Sequence, residues 1–189
     1  MNKILYTFLF IIFQVKLLLA AEVFSELGFH FNLTNIVKAD LLGKYYDVFN
    51  CGGSFGISTP FYFGRFSIHT SVLDNKKWNN NTDHYFSMTS FLEWDYPIEV
   101  LKYFRITPGL GAGNYFMYFP LKTEELQIES EICLLGKIGF ETNFFKYVGF
   151  SCNYYLKEIS TFHKLYIEDV EVGFFIKFRT GRRFRNFLK

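Results

Sequence analysis

After its first twenty residues the chain has no apolar run near the roughly 20 residues a membrane-crossing helix needs. That excludes a multi-helix membrane architecture. Cysteine is scarce: Cys51, Cys133 and Cys152 are an odd, dispersed set with no CxxC pair. Neither a disulfide framework nor a cysteine metal site fits that spacing. His30, His84 and His163 fall on separate elements with no ligand spacing, so no metal is assigned. Charge of one sign is also missing. The formal net charge is only +2, and losing Lys3 and Lys16 with the N-terminal segment would bring it to zero. Nucleic acid is therefore not an expected partner. Gly109-Leu110-Gly111-Ala112-Gly113 lacks both the GxGxxG spacing and a following helix, so it is not a nucleotide loop.

What the chain has instead is aromatic residues. They make up 22% of it, with 26 Phe and 13 Tyr, more than an ordinary soluble core requires. Hydrophobic residues are 50% and charged residues 20%, and the two kinds are interleaved. Residues 1–21 read as a cleaved signal peptide. Lys3 supplies the basic start, Ile4 to Phe13 the apolar stretch, and Ala20-Ala21 the small residues at the cut. Lys16 argues against a retained anchor, because a mid-membrane Lys costs about 2.5–3.5 kcal/mol on insertion scales.

From Glu22 onward the pattern has a period of two, which is a strand with two different environments. Leu27, Phe29, Phe31 and Leu33 oppose Glu26, Gly28, His30 and Asn32. Similar stretches follow at about 45–58, 61–73, 84–96, 102–117, 126–141 and 147–157, and an eighth ends at Arg179. In that last stretch Val170, Val172, Phe174, Ile176 and Phe178 oppose Glu171, Gly173, Phe175 and Lys177. The connections alternate. Short turns follow the second, fourth and sixth stretches, beginning with Ser58-Thr59-Pro60 and then Pro97. Longer polar segments follow the others. Eight strands with this asymmetry predict an all-β fold: an eight-stranded antiparallel transmembrane β-barrel with short periplasmic turns and longer outer loops. The barrel is expected over 22–179, with a basic C-terminal tail at 180–189.

The orientation follows from the polar faces. They mix glycines with Glu26, Arg65, Glu93, Arg105, Glu129, Glu131, Lys137, Lys157, Glu171 and Lys177. A narrow eight-stranded lumen needs small residues beside long charged ones that pair across it. The apolar faces avoid mid-strand charges, and aromatics gather near strand ends, as at a bilayer interface. Glu129 and Glu131 are expected to join Lys137 and Arg105 in a network that fills the lumen.

In strand count and loop asymmetry the chain resembles the small outer-membrane barrels of the OmpA/OmpX type over Glu22 to Arg179. The stretch Glu93 to Gly113, EWDYPIEVLKYFRITPGLGAG, is similar to the hairpin entering a Gly-rich strand in that superfamily. The last strand closes on Phe178, although ten residues from Thr180 depart from the pattern. The resemblance implies residence in a bacterial outer membrane, with the lipid bilayer and the barrel-assembly machinery as partners and a possible surface ligand at the loops. Barrels of this type serve adhesion, scaffolding, transport and lipid enzymology, and the role expected for this chain is a non-enzymatic one in adhesion, surface contact or envelope integrity. No catalytic or cofactor-binding residue and no cofactor is assigned. Two alternatives stay open. One is a lipid-modifying hydrolase using His69 and Ser71, whose spacing puts both on one strand face so that His could activate Ser, with Asp74 or Asn75 orienting the His. The other is a secreted soluble lipocalin-like barrel holding an apolar ligand.

Overall fold

The computed structural model describes residues 24–39, 51–76, 84–118, 128–160 and 164–181. Among them are nine strands: β1 (Glu26–Ala39), β2 (Cys51–Phe61), β3 (Gly64–Lys76), β4 (His84–Asp95), β5 (Ile98–Leu101), β6 (Phe104–Tyr118), β7 (Ile128–Asn143), β8 (Val148–Ile159) and β9 (Leu165–Arg179). Every pairing is antiparallel. β1 pairs with β9, and β4 pairs with β6, so eight of the strands close into a barrel. The ninth, β5, pairs only with the start of β6.

The seam between β1 and β9 runs from Glu26 opposite Arg179 to Ala39 opposite Ile167, with one irregularity between Ile36 and Lys38. Past the seam, Thr180 N donates to Ser25 O at 3.0 Å and the Thr180 hydroxyl donates to Phe24 O. The register also shows the strand tilt. A line of opposed residues starts at Phe29 near the short-turn end of β1. It passes Ile57, Ile68, Leu92, Ala112 and Leu134 and reaches Glu158 at the far end of β8. Such a climb is the stagger by which a sheet closes on itself.

Two expected turns move. The first lies at Tyr62-Phe63, not at Ser58-Thr59-Pro60. Tyr62 takes a positive φ of 51°, and Pro60 stays in β2 opposite Arg65. Proline is tolerated there because its carbonyl still accepts a hydrogen bond, from Phe24 N at 3.1 Å, at the strand's last turn-proximal residues. The second lies at Lys102-Tyr103, not at Pro97, and β6, the expected fifth stretch, follows from Phe104. Ile98–Leu101 already forms β5, which continues β4 after a break at Tyr96-Pro97. Pro97, in the break, and Pro108, opposite Tyr96, both lack an N–H for the ladder. Tyr96 N still donates to Pro108 O at 2.9 Å. The expected start of the second strand at Tyr45, the signal peptide at 1–21, the longer connections, and the tail beyond Gly181 lie outside the described residues.

Candidate functional site

The barrel interior gathers the charged residues. Arg65 on β3, Glu93 and Asp95 on β4, Lys137 and Glu141 on β7, Lys157 on β8, and Asp169 and Glu171 on β9 are all buried. Outside them, Phe31, Leu33, Ile68, Leu92, Leu110, Ile132, Ile138 and Phe174 are exposed. A water-soluble protein does the reverse, because burying a charge costs far more than exposing an apolar side chain. A soluble lipocalin-like barrel with apolar residues inside and polar ones outside is contradicted by this arrangement.

The interior is layered. At the short-turn end, a cavity of about 120 Å³ is lined by Glu26, Arg65, Arg105 and Lys177, with Pro60 and Pro97 in its wall. Above it lies an ionic cluster. Arg65 donates two parallel bonds to Asp95, at 3.0 and 2.7 Å, and lies 2.5 Å from Glu141. Lys137 donates to Glu93 at 2.5 Å and Asp95 at 2.9 Å, and Tyr155 donates to Glu93 at 3.2 Å. Within this cluster each buried charge has an opposite partner, which burial in a narrow lumen demands. Next comes a polar belt. Glu171 accepts from Ser54 at 2.9 Å, and from Asn32 and Thr34 at 3.3 Å, while His30 bonds Ser58 at 2.8 Å. Lys157 donates to Asp169 at 2.5 Å.

The loop end of the lumen is different. Ile36, Leu73, Tyr115, Met117, Cys133, Ile159 and Ile167 form a buried apolar cluster there. Phe91, Leu135 and Tyr155 form a second one below it. The lumen is therefore not polar throughout, because an apolar cluster lies at its loop end. At the same level the exterior of β1, β8 and β9 turns polar. Ile167 points inward, and the adjacent Glu168 points outward to bridge Lys38 at 3.0 Å and Tyr154 at 2.5 Å. Glu158, beside the inward Ile159, pairs with Lys164 at 2.5 Å. Apolar inside and charged outside is the pattern for a barrel rim in water, so these strand tips stand beyond hydrocarbon. The signal was available in the sequence: Ile36, Leu73, Ile159 and Ile167 each keep the inward phase of a polar residue two positions away.

His69 and Ser71 share the inward face of β3, and both are buried. Ser71 Oγ has no hydrogen-bond partner, so the two do not form a His–Ser pair. Nε2 of His69 lies 3.3 Å from Glu171 Oε2, outside hydrogen-bond angles, so its nearest carboxylate is not Asp74. Arg105 pairs with Glu99 on β5 at 2.9 Å and Lys137 with Glu93 and Asp95. The expected network of these two with Glu129 and Glu131 is thus replaced by partners nearer the short-turn end. Cys133 and Cys152 are free, the first inside the lumen and the second on the outer face. Among the described residues, no cluster of His, Cys, Asp or Glu could hold a metal.

Fold and interior together define a closed eight-stranded transmembrane β-barrel with the architecture of the small OmpA/OmpX-type outer-membrane barrels. Among solved structures it is similar to Neisserial surface protein A, with a TM-score of 0.61 at 9% identity, covering 82% of this chain and 97% of that one. It is also similar to Ail, the attachment invasion locus protein of Yersinia pestis (TM-score 0.59, 11% identity, 82% and 99% covered). OprG from Pseudomonas aeruginosa gives 0.53 at 11% identity, covering 85% and 99%. No protein-family signature matches the chain, and no curated protein matches it.

Proposed function

We propose that the chain is a bacterial outer-membrane protein that acts without catalysis, through its outer loops, in adhesion, surface contact or envelope integrity. The observation that carries this reading is the inverted burial, with charges paired inside, an apolar exterior and an apolar cap across the lumen. Among the described residues the lumen is filled by paired charges and an apolar cluster, which supports surface contacts as the means of action. The likeness to a protein whose name describes attachment and invasion supports surface contact as the role.

In this reading residues 1–21 are removed on export and the barrel-assembly machinery inserts the barrel. The basic tail, at the short-turn end, touches anionic headgroups. Cell fractionation followed by gel mobility before and after heating tests the location. The expected result is outer-membrane recovery with a band that shifts on boiling. Shortening the connections at 40–50, 77–83 and 119–127 tests the role. The barrel should still insert, and the cells should lose attachment to a host-cell or matrix surface. If the full-length chain gives no gain in attachment or in resistance to envelope stress, the proposal fails. The lipid-hydrolase alternative predicts that Ser71→Ala abolishes lipid deacylation. With Ser71 facing the lumen, we expect the variant to match the parent.

A further inference from the structure

The short-turn end of the barrel carries cations that the lumen does not use. Two of its connections lie side by side. One joins β5 to β6 at Lys102-Tyr103, the other joins β7 to β8 through residues 144–147, and Asn143 N donates to Tyr103 O at 3.0 Å between them. Each holds a lysine ammonium over the ring of the tyrosine that follows it. Lys102 Nζ is 5.1 Å from the Tyr103 ring centroid, and Lys146 Nζ is 5.4 Å from that of Tyr147. Such a contact keeps the ammonium beside the ring. Both lysines are exposed. The carboxylates at this end are engaged elsewhere: Glu141 with Arg65, Glu99 with Arg105, and Glu26 beside Lys177. The two ammonium groups are therefore open to a ligand.

Their surroundings say what kind. Tyr103, Phe144 and Phe145 are each more than half exposed, as aromatic side chains are at a bilayer interface. Directly above them the outward strand faces are apolar. Phe104 stacks on Phe140 at 5.9 Å, and Phe150 meets Phe174 edge-on at 5.9 Å. Open cations, then exposed rings, then an apolar wall follow the order of a phospholipid from phosphate to acyl chain. The connection between β2 and β3 lacks the first of these. Its rings are present, with Phe61 and Tyr62 in contact at 4.6 Å, but its nearest cation, Arg65, is buried with Asp95 and Glu141.

We propose that the β5–β6 and β7–β8 turns together bind the headgroup of an anionic phospholipid of the phosphatidylglycerol class in the periplasmic leaflet, with its acyl chains along β6, β7 and β8. The proposal rests on the exterior facing lipid, as argued above, and assigns a lipid class and two residues to that contact. Charge selects the class. A zwitterionic headgroup brings its own cation to its phosphate, whereas two unpaired ammonium groups favour a headgroup with net negative charge. Inorganic phosphate would meet the same two lysines but gain nothing from the rings and the apolar wall.

The test uses a tryptophan beside the site, Phe144→Trp, in a background with Trp78→Phe and Trp94→Phe. The protein is folded into phosphatidylcholine vesicles in which a minor fraction is brominated phosphatidylglycerol or brominated phosphatidylcholine. Quenching should show phosphatidylglycerol favoured at the probe by about five-fold or more, since each lysine near an anionic headgroup contributes about five-fold. Lys102→Gln with Lys146→Gln should return the ratio to one, and the corresponding Arg pair should keep it. A Tyr62→Trp probe in the same background should report no preference. Equal quenching by the two lipids at Phe144→Trp overturns the proposal. So does an equal preference at Tyr62→Trp, or a preference that survives the Gln pair. Loss of the preference on adding inorganic phosphate, against chloride at the same ionic strength, would give the lysines to a free anion and overturn the lipid assignment. Gel mobility before and after heating reports insertion on the same samples. A failed membrane reading appears as no quenching by either lipid, and a failed headgroup reading as equal quenching by both.

Discussion

Single residues hold this interior together through pairing. Arg65 joins Asp95 and Glu141 across β3, β4 and β7. Arg65→Met would leave Glu141 buried without its cation and Asp95 with Lys137 alone, and losing one partner of a buried pair costs about 3–5 kcal/mol. A urea titration of the folded band should show that loss as a lower midpoint. Glycines offer a second probe. A Cβ at Gly173, on the inward face of β9, would lie 2.0 Å from Phe31 O, a backbone atom of the neighbouring strand. Gly136 has open space. Gly173→Ala should therefore destabilise the barrel by about 1–3 kcal/mol through overpacking, and Gly136→Ala should fold like the parent. Equal midpoints for the two would contradict the packing described here.

Strands were legible in the sequence because the period of two is set by the pleat and needs no tertiary information. The closing strand ended at Arg179 as its alternation indicated, and Val172, Phe174 and Ile176 face outward with Glu171, Gly173 and Phe175 inside. The breaks were harder to read. Pro60 suggested a turn by its missing N–H, but where a strand end needs only a carbonyl, proline fits. Which charges pair was also hidden. Partnership depends on the stagger between strands, which placed Lys137 beside Glu93 and Asp95 and not beside Glu129. The apolar cap was missed because inward positions were expected to be polar throughout.

The reversal of pattern along β9 makes a positional prediction at this scale. Val172→Lys would put a cation on the lipid face near mid-strand, costing about 2–4 kcal/mol. Glu168→Lys, four residues nearer the loops, lies at the wetted rim. It would lose the ion pair with Lys38 and the hydrogen bond from Tyr154, both at the exposed rim, where a surface pair is worth about 0–1 kcal/mol. Folding titrations into vesicles should separate the two variants clearly. Similar costs at both positions would mean that the bilayer boundary is not where the charges begin.

For the whole molecule, the paired lumen and its apolar cap predict a barrel that does not conduct. Planar bilayer recordings should show no stable open level, and a large steady conductance would sink the closed-lumen account. The central claim, that the exterior faces lipid, has a direct optical test. The sequence has two tryptophans, Trp78 and Trp94, and Trp94 lies on the outward face of β4 near the short-turn end. In a Trp78→Phe variant its fluorescence reports that face alone. Folding the variant into vesicles whose acyl chains carry bromine should quench Trp94 strongly compared with unbrominated vesicles. Emission of equal intensity in the two, from protein that has inserted and shifts on heating, would contradict the account.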